Sequence, residues 1–200
     1  SWWWYLNDNK EMEGHYVDGR KNGIWTWWFD SGIRQSEGHY VDDEQDGLWS
    51  YFAKDGSVAE EITFSGGKRD GRSTVWLTPE EKQEEKFYKN GKLDGPSTFW
   101  ENGYRSTMTT YKSDSPEGPW VIWFSNSDQI KEQGFHQKGI REGLTTYYYE
   151  DGTMQREGFF KEGLPDGMWT YWNKEGEKDF DFDFGSGLQH ISLEDLVERE

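Results

Sequence analysis

Four histidines, three evenly spaced aspartates and a large supply of carboxylates are the side chains in this chain whose types and spacing could do chemistry. His15 and His39 sit in equivalent segments, Glu13-Gly-His-Tyr-Val-Asp-Gly19 and Glu37-Gly-His-Tyr-Val-Asp-Asp43. On strands two apart in a sheet they would lie about 9–10 Å from each other, too far to share a zinc ion at about 2.0–2.1 Å per Zn–N bond. His136 takes the slot that Tyr40 and Phe160 fill elsewhere, so it reads as a ring substitute. Asp179, Asp181 and Asp183 alternate with Phe180, Phe182 and Phe184. That pattern puts three carboxylates on one strand face. A flat face does not wrap a calcium ion, which takes about six to eight oxygens, and it reads instead as a charged edge that discourages pairing with other chains. With 39 Asp and Glu residues, two carboxyls at the roughly 5–9.5 Å of a glycosidase pair will arise by chance. There is no Gly-x-Ser-x-Gly elbow, phosphate loop, His-Glu-x-x-His stretch or cysteine to suggest acyl transfer, nucleotide binding, zinc hydrolysis or thiol chemistry. The expectation is a non-enzymatic chain without metal or cofactor.

Apart from His190, the histidines and the aspartate row fall within one recurring element. Gly23-Ile-Trp-Thr-Trp-Trp-Phe-Asp-Ser-Gly32 returns as versions of itself beginning at Gly47, Gly71, Gly95, Gly118, Gly143 and Gly167, at steps of 23 to 25 residues. A constant period of this size marks a stacked repeat array. Each repeat holds two short segments rich in aromatic residues and Thr, separated by Gly, Asn, Asp, Lys and Glu, which is the pattern of paired strands. Asp18-Gly19, Asp46-Gly47, Asp55-Gly56, Asn90-Gly91, Asn102-Gly103 and Asp151-Gly152 are dipeptides that accept positive φ and close hairpins. The unit is therefore a β-hairpin.

Side chains two apart on a strand share a face. The slot of Thr26 recurs as Ser50, Thr74, Thr98, Val121, Thr146 and Thr170, and that of Trp28 as Phe52, Trp76, Trp100, Trp123, Tyr148 and Trp172. This regular face reads as architectural. The opposite face varies between repeats and carries Trp25, Trp27, Trp49, Tyr51, Trp120, Trp169 and Tyr171. Variation suits recognition, and Trp and Tyr dominate interface hot spots, so these seven are the expected partner-binding residues. A sugar chain could stack on the same ladder.

Hydrophobic residues make up only 32% of the chain while aromatics make up 18%, so burial must rest on rings. The net charge of −17 argues against nucleic acid, which calls for a basic stripe. It also disfavours anionic lipid and favours a basic protein partner. No run of about 20 apolar residues exists to form a membrane-spanning helix. The compartment stays open. Ser1-Trp-Trp-Trp-Tyr5 matches the tail of a repeat, which leads to the expectation that the first repeat is truncated and that the native protein extends upstream. Thr78 to Lys86 and Lys112 to Glu117 depart from the usual turn pattern and read as decorated turns. The array is expected over residues 1–187, followed by a cap at 188–200. In that cap Ser192 would open a short helix with Leu193, Leu196 and Val197 on one face.

The pattern Gly-aromatic-aromatic-x-x-Gly-x-x-x-Gly-x-Trp-x-x-aromatic resembles the MORN repeat, and more closely the MORN variant found in arrays in bacterial proteins. It is carried by Gly14-His-Tyr-Val-Asp-Gly19 with Gly23, Trp25 and Trp28, and by Gly158-Phe-Phe-Lys-Glu-Gly163 with Gly167, Trp169 and Trp172. Ser73, Ser97 and Thr145 stand where the pattern has Trp. The resemblance implies an all-β fold: an elongated single-layer antiparallel sheet of about eight tandem hairpins, used as a scaffold for protein binding. Some such arrays are described as antitoxin components, which would make this chain an acidic protein that captures a basic partner. The alternative is a carbohydrate-binding or cell-wall-binding repeat module.

Overall fold

The computed structural model describes residues 1–6 and 8–185, and the expected cap at 188–200 lies outside them. Among the described residues there are seventeen strands and no helix. They form β1 (Trp2–Trp4), β2 (Lys10–Val17), β3 (Arg20–Trp28), β4 (Arg34–Val41), β5 (Glu44–Phe52), β6 (Val58–Ser65), β7 (Lys68–Trp76), β8 (Lys82–Lys89), β9 (Lys92–Glu101), β10 (Tyr104–Lys112), β11 (Ser115–Trp123), β12 (Ile130–Gln137), β13 (Ile140–Arg141), β14 (Gly143–Tyr148), β15 (Met154–Lys161), β16 (Leu164–Trp172) and β17 (Lys178–Asp183). The chain divides into two compact units, residues 1–115 and 116–200. The division falls on the segment from Lys112 to Glu117 that reads from sequence as a decorated turn. In each unit the strands pair antiparallel with their neighbours in chain order, as the hairpin repeat requires. β13 and β14 are two parts of one strand, interrupted at Glu142, and both pair with β12.

Two kinds of turn alternate through most of the array. Asp18-Gly19 (φ 50° and 80°), Asp42-Asp43 (49° and 71°), Asn90-Gly91 (51° and 83°) and Glu162-Gly163 (54° and 84°) are two-residue turns with both φ values positive. That geometry matches the twist of the strands it joins. The other kind is wider: the Phe29 N–H donates to Ile33 O at 2.8 Å and the Gly32 N–H to Phe29 O at 2.9 Å, a pattern repeated at Ala53–Ser57, Tyr149–Thr153 and Asn173–Glu177. The segment after Leu77 keeps this closure without its glycine, through the Leu77 N–H to Glu81 O at 2.8 Å.

The glycines that set the period are bulge residues. Gly23 has φ 77°, and the β2–β3 register slips around it, with Glu13 opposite Thr26 but His15 opposite Asn22. The extra residues in β3 let Trp25 fold back across the sheet. Its indole lies on Gly14, where a Cβ would come within 2.1 Å of the ring, and its Nε1–H donates to His15 O at 3.1 Å. Trp49 repeats this over Gly38 with a bond to His39 O at 3.1 Å, and Trp169 over Gly158 with a bond to Phe159 O at 3.2 Å. A single sheet thus makes a core on its own surface, each indole covering the backbone of the preceding strand.

This reverses one expectation. Trp25, Trp49, Trp120 and Trp169 were expected at a partner surface, yet they are 0%, 2%, 3% and 2% exposed. They are the core of the sheet. The regular row from Trp28 to Trp172 does share the face of Thr26, as expected, but most of its rings are only half-buried. The cause is the bulge, which folds the first ring of the variable face inward and leaves the second ring beside it.

Where the chain departs from Trp, the opposing glycine departs with it. Ser73 and Ser97 replace Trp, and Ile62 and Lys86 stand in the slots of Gly14 and Gly38. Ile62, Ser73 and Ser97 are all buried. The large group has moved from one strand to its neighbour, so the slot stays filled. In the second unit Thr145 replaces Trp and Gly134 is kept, and Trp120 from the other side covers that glycine.

Candidate functional site

In the first unit the bulge face carries a continuous ring surface. Trp3, Tyr16, Trp25, Trp27, Tyr40, Trp49, Tyr51 and Phe64 form a chain of ring pairs with centroids 5.0 to 6.4 Å apart. Most are edge-on or tilted, the arrangements ring quadrupoles favour. Of the expected contact residues here, Trp27 and Tyr51 keep part of their surface open. Burial, with smaller contributions from Tyr51 and Asp43, raises the Tyr40 phenol above its usual pKa, so it stays a neutral donor.

A cation already occupies part of this surface. Lys21 Nζ lies 4.6 Å from the Trp25 ring centroid, 5.3 Å from Trp27 and 5.0 Å from Tyr40. All three are within the range of a cation–π contact. One repeat later the slot of Lys21 holds the neutral Gln45, whose Nε2 reaches the Tyr51 hydroxyl at 3.4 Å. Beside it lies a recess of about 330 Å³ lined by Trp27, Gln35, Ser36, Tyr40, Gln45, Trp49 and Tyr51. Ser36 forms its floor, in register with Trp27 on one side and Tyr51 on the other.

The second unit uses the same face with more charge. Arg141, in the slot of Lys21, places its guanidinium 4.5 Å from the Trp120 ring and 5.6 Å from Phe160. It also donates to the Tyr147 hydroxyl at 3.1 Å and to Glu132 at 3.4 Å. Arg156 lies 4.1 Å from the Tyr147 ring and is in register with Tyr147 and Tyr171. Tyr171 stacks on Phe180 at 4.5 Å, nearly parallel at 10°. Burial raises the Tyr147 and Tyr171 phenols. Burial, and then the nearby Arg141, lowers the His136 pKa, so the imidazole is held neutral. A recess of about 750 Å³ in this unit brings Lys131, Arg156 and Lys174 together with Glu132, Glu150 and Asp151, so its charges balance.

The opposite face is a ladder of alternating acids and hydroxyls. Glu13, Thr26, Glu37, Ser50, Glu61, Thr74, Glu85 and Thr98 stand successively opposite one another across β2 to β9. The Thr26 hydroxyl donates to Glu37 at 3.0 Å. Cations spaced three residues before the acids neutralise several of them, through Lys10–Glu13 at 2.7 Å, Arg34–Glu37 at 3.4 Å and Lys82–Glu85 at 2.7 Å. The same cations cover the regular ring row, Lys10 at 5.0 Å from Trp28 and Arg34 at 4.9 Å from Phe52. Much of this face is paired internally, although the buried Thr74 hydroxyl has no hydrogen-bond partner. No cluster of three or more His, Asp or Glu among the described residues is arranged to hold a metal ion.

Sequence reasoning found the rings and missed what sits among them: Lys21, Ser36, Tyr40, Arg141 and Arg156. The signal was available in the repeat register, which aligns Lys21 with Gln45 and Arg141, and Ser36 with Arg156.

The described strands form a tandem hairpin array with rings and cations paired along both faces. The family model described as MORN repeat variant matches residues 21–42, 45–65 and 141–162. These three segments match the MORN-variant repeat, and they begin at Lys21, at Gln45 and at Arg141, which share one slot of the repeat with Arg69. Such repeats serve generally as protein-binding or membrane-binding modules. No curated protein matches the chain.

Proposed function

We propose that this chain is a non-catalytic interaction scaffold that holds a basic protein against its ring face, a role consistent with antitoxin-like capture. The observation that carries this reading is the pairing of that face with cations: Lys21, Arg141 and Arg156 all lie on its rings at 4.1 to 5.6 Å. A surface whose rings take cations from its own chain has the chemistry to take them from another. The 39 acidic residues against 22 Lys and Arg add a long-range attraction for a positively charged partner and repel anionic lipid and nucleic acid.

The test is retention from the source cell's lysate on immobilised protein, with wild type beside a Trp27→Ala/Tyr51→Ala double variant. A basic protein retained by wild type, released at about 1 M salt, where the Debye length is only about 3 Å, and lost by the variant is the expected result. Trp quenching by cell-wall fragments with no protein retained would replace this reading with carbohydrate binding.

A further inference from the structure

The geometry points to the recess between Trp27 and Tyr51 as a receptor for an arginine side chain of a partner protein. We infer this from the molecule's own second copy of the slot. In the second unit, Tyr147, Arg156 and Tyr171 stand in register on three successive strands, with the Arg156 guanidinium 4.1 Å from the Tyr147 ring. In the first unit, the same three registers hold Trp27, Ser36 and Tyr51. The ring walls are kept and the arginine between them is replaced by a buried serine. What is left is the recess of about 330 Å³.

The fit is one of shape and ring chemistry. The walls stand two strands apart, a backbone spacing of about 9–10 Å, with the Trp49 indole against both, 5.7 Å from Trp27 and 6.2 Å from Tyr51, as the Trp169 indole lies 6.1 Å from Tyr147 in the second unit. Guanidinium is planar, weakly hydrated and prone to stack on aromatic faces, whereas ammonium is a compact and strongly hydrated charge. Both filled slots in the second unit use arginine. The two copies also match beyond the walls: Glu60 is the register partner of Tyr51 on its far side, as Glu132 is of Tyr147, and each meets an arginine of the chain, Arg69 at 4.0 Å and Arg141 at 3.4 Å. Gln45, in the slot that Lys21 fills one repeat earlier, leaves the recess without a cation of its own and offers an amide beside the Tyr51 hydroxyl. The proposal rests on the reading of the ring face as the recognition surface and names the group it recognises.

The probe is a capped tripeptide with arginine at its centre, compared with its citrulline counterpart, a neutral group of nearly the same shape. The readout is the indole N–H resonances of the full chain. The expected result is that the arginine peptide shifts the Trp27 and Trp49 indoles and leaves Trp169 in place, with the citrulline peptide at least about tenfold weaker, the size of a partly desolvated cation–π contact. Ser36→Arg, which copies Arg156, abolishes the shift. Gln45→Lys, which copies Lys21, does the same and serves if the first variant does not fold. Equal binding of the two peptides, undiminished binding to a folded plug variant, or no shift at millimolar arginine peptide overturns the proposal. A basic protein retained equally by wild type and by Ser36→Arg leaves the scaffold reading standing and removes only the recess.

Discussion

Gly38→Ala is the sharpest test of the idea that this sheet makes its core by laying indoles on glycines. A Cβ at Gly38 would overlap the Trp49 ring, and nothing flexible can give way, because the clash is with the ring itself. The indole must lift. Lifting breaks its hydrogen bond to His39 O, worth about 1 kcal/mol. It also returns roughly half of a buried ring of about 150–250 Å² to water, which at about 25 cal/mol per Å² costs another 2–3 kcal/mol. The expected loss is about 3–4 kcal/mol, far above the few tenths typical of a surface change.

The decisive form of the experiment is a double-mutant cycle. Ile62 with Ser73 shows the slot filled from the other strand, so Gly38→Ile and Trp49→Ser should rescue one another. Each alone is expected to cost about 3–5 kcal/mol, one by overpacking and one by leaving a cavity. Together they should cost no more than the worse single change, a coupling of at least about 2 kcal/mol. The assay is urea unfolding followed by circular dichroism, compared at equal m-values. A double variant that loses the sum of the two single losses would refute the reasoning, because the rings would then not be seated by the glycines.

Other consequences follow from the same contacts. Thr26→Val removes a donor to Glu37 and should cost about 1–2 kcal/mol in urea unfolding, whereas Thr74→Val, whose buried hydroxyl has no hydrogen-bond partner, should be neutral or stabilising. Gly47→Ala should cost about 1–2 kcal/mol through its φ of 74° alone, since nothing lies near its missing Cβ, and Gly47→Asn should cost less in the same assay. His136 has its pKa lowered in the fold, so protonation favours the unfolded chain. The stability it contributes is complete above the unfolded value of about 6.5 and is lost as pH falls from there through the folded value. His136→Phe, which supplies the ring that Phe160 provides elsewhere, should flatten the fall in Tm over that window, and an unchanged pH profile would count against burial as the cause.

The period, the turn dipeptides and the grouping of side chains by face were legible because each follows from local rules: positive φ at Asp18-Gly19, alternation along β3, one glycine per bulge. Which face would bury its rings was not. Alternation says that Trp25 and Trp27 point the same way, but it does not say that the bulge at Gly23 folds Trp25 onto Gly14 and leaves Trp27 beside it. The trace of that fact was in the sequence as a pair of positions rather than a single one. Gly14, Gly38 and Gly158 accompany Trp25, Trp49 and Trp169, while Ile62 and Lys86 accompany Ser73 and Ser97. Read one position at a time, the serines look like decay of the repeat; read in pairs, they are the same volume placed on the other strand.

This pairing also explains how an array of near-identical hairpins can be specific. The indole on its glycine is kept or exchanged with its neighbours, because a change alone leaves a clash or a void; at Thr145 and Gly134 it is Trp120 from the adjoining strand that fills the slot. The second ring and the residue in register beside it carry no such constraint. Trp27, Tyr51, Tyr147 and Tyr171 bracket Ser36 and Arg156, and none of them lies on a glycine as the core indoles do. Those bracketed positions are therefore free to differ, and a single residue there decides whether a slot is closed by the chain's own guanidinium or left open for another. Within each unit's described strands, such register slots are where chemical identity can be written without disturbing the fold. Recognition by this chain should accordingly track the residues at Ser36, Gln45, Arg141 and Arg156 rather than the number of its tryptophans.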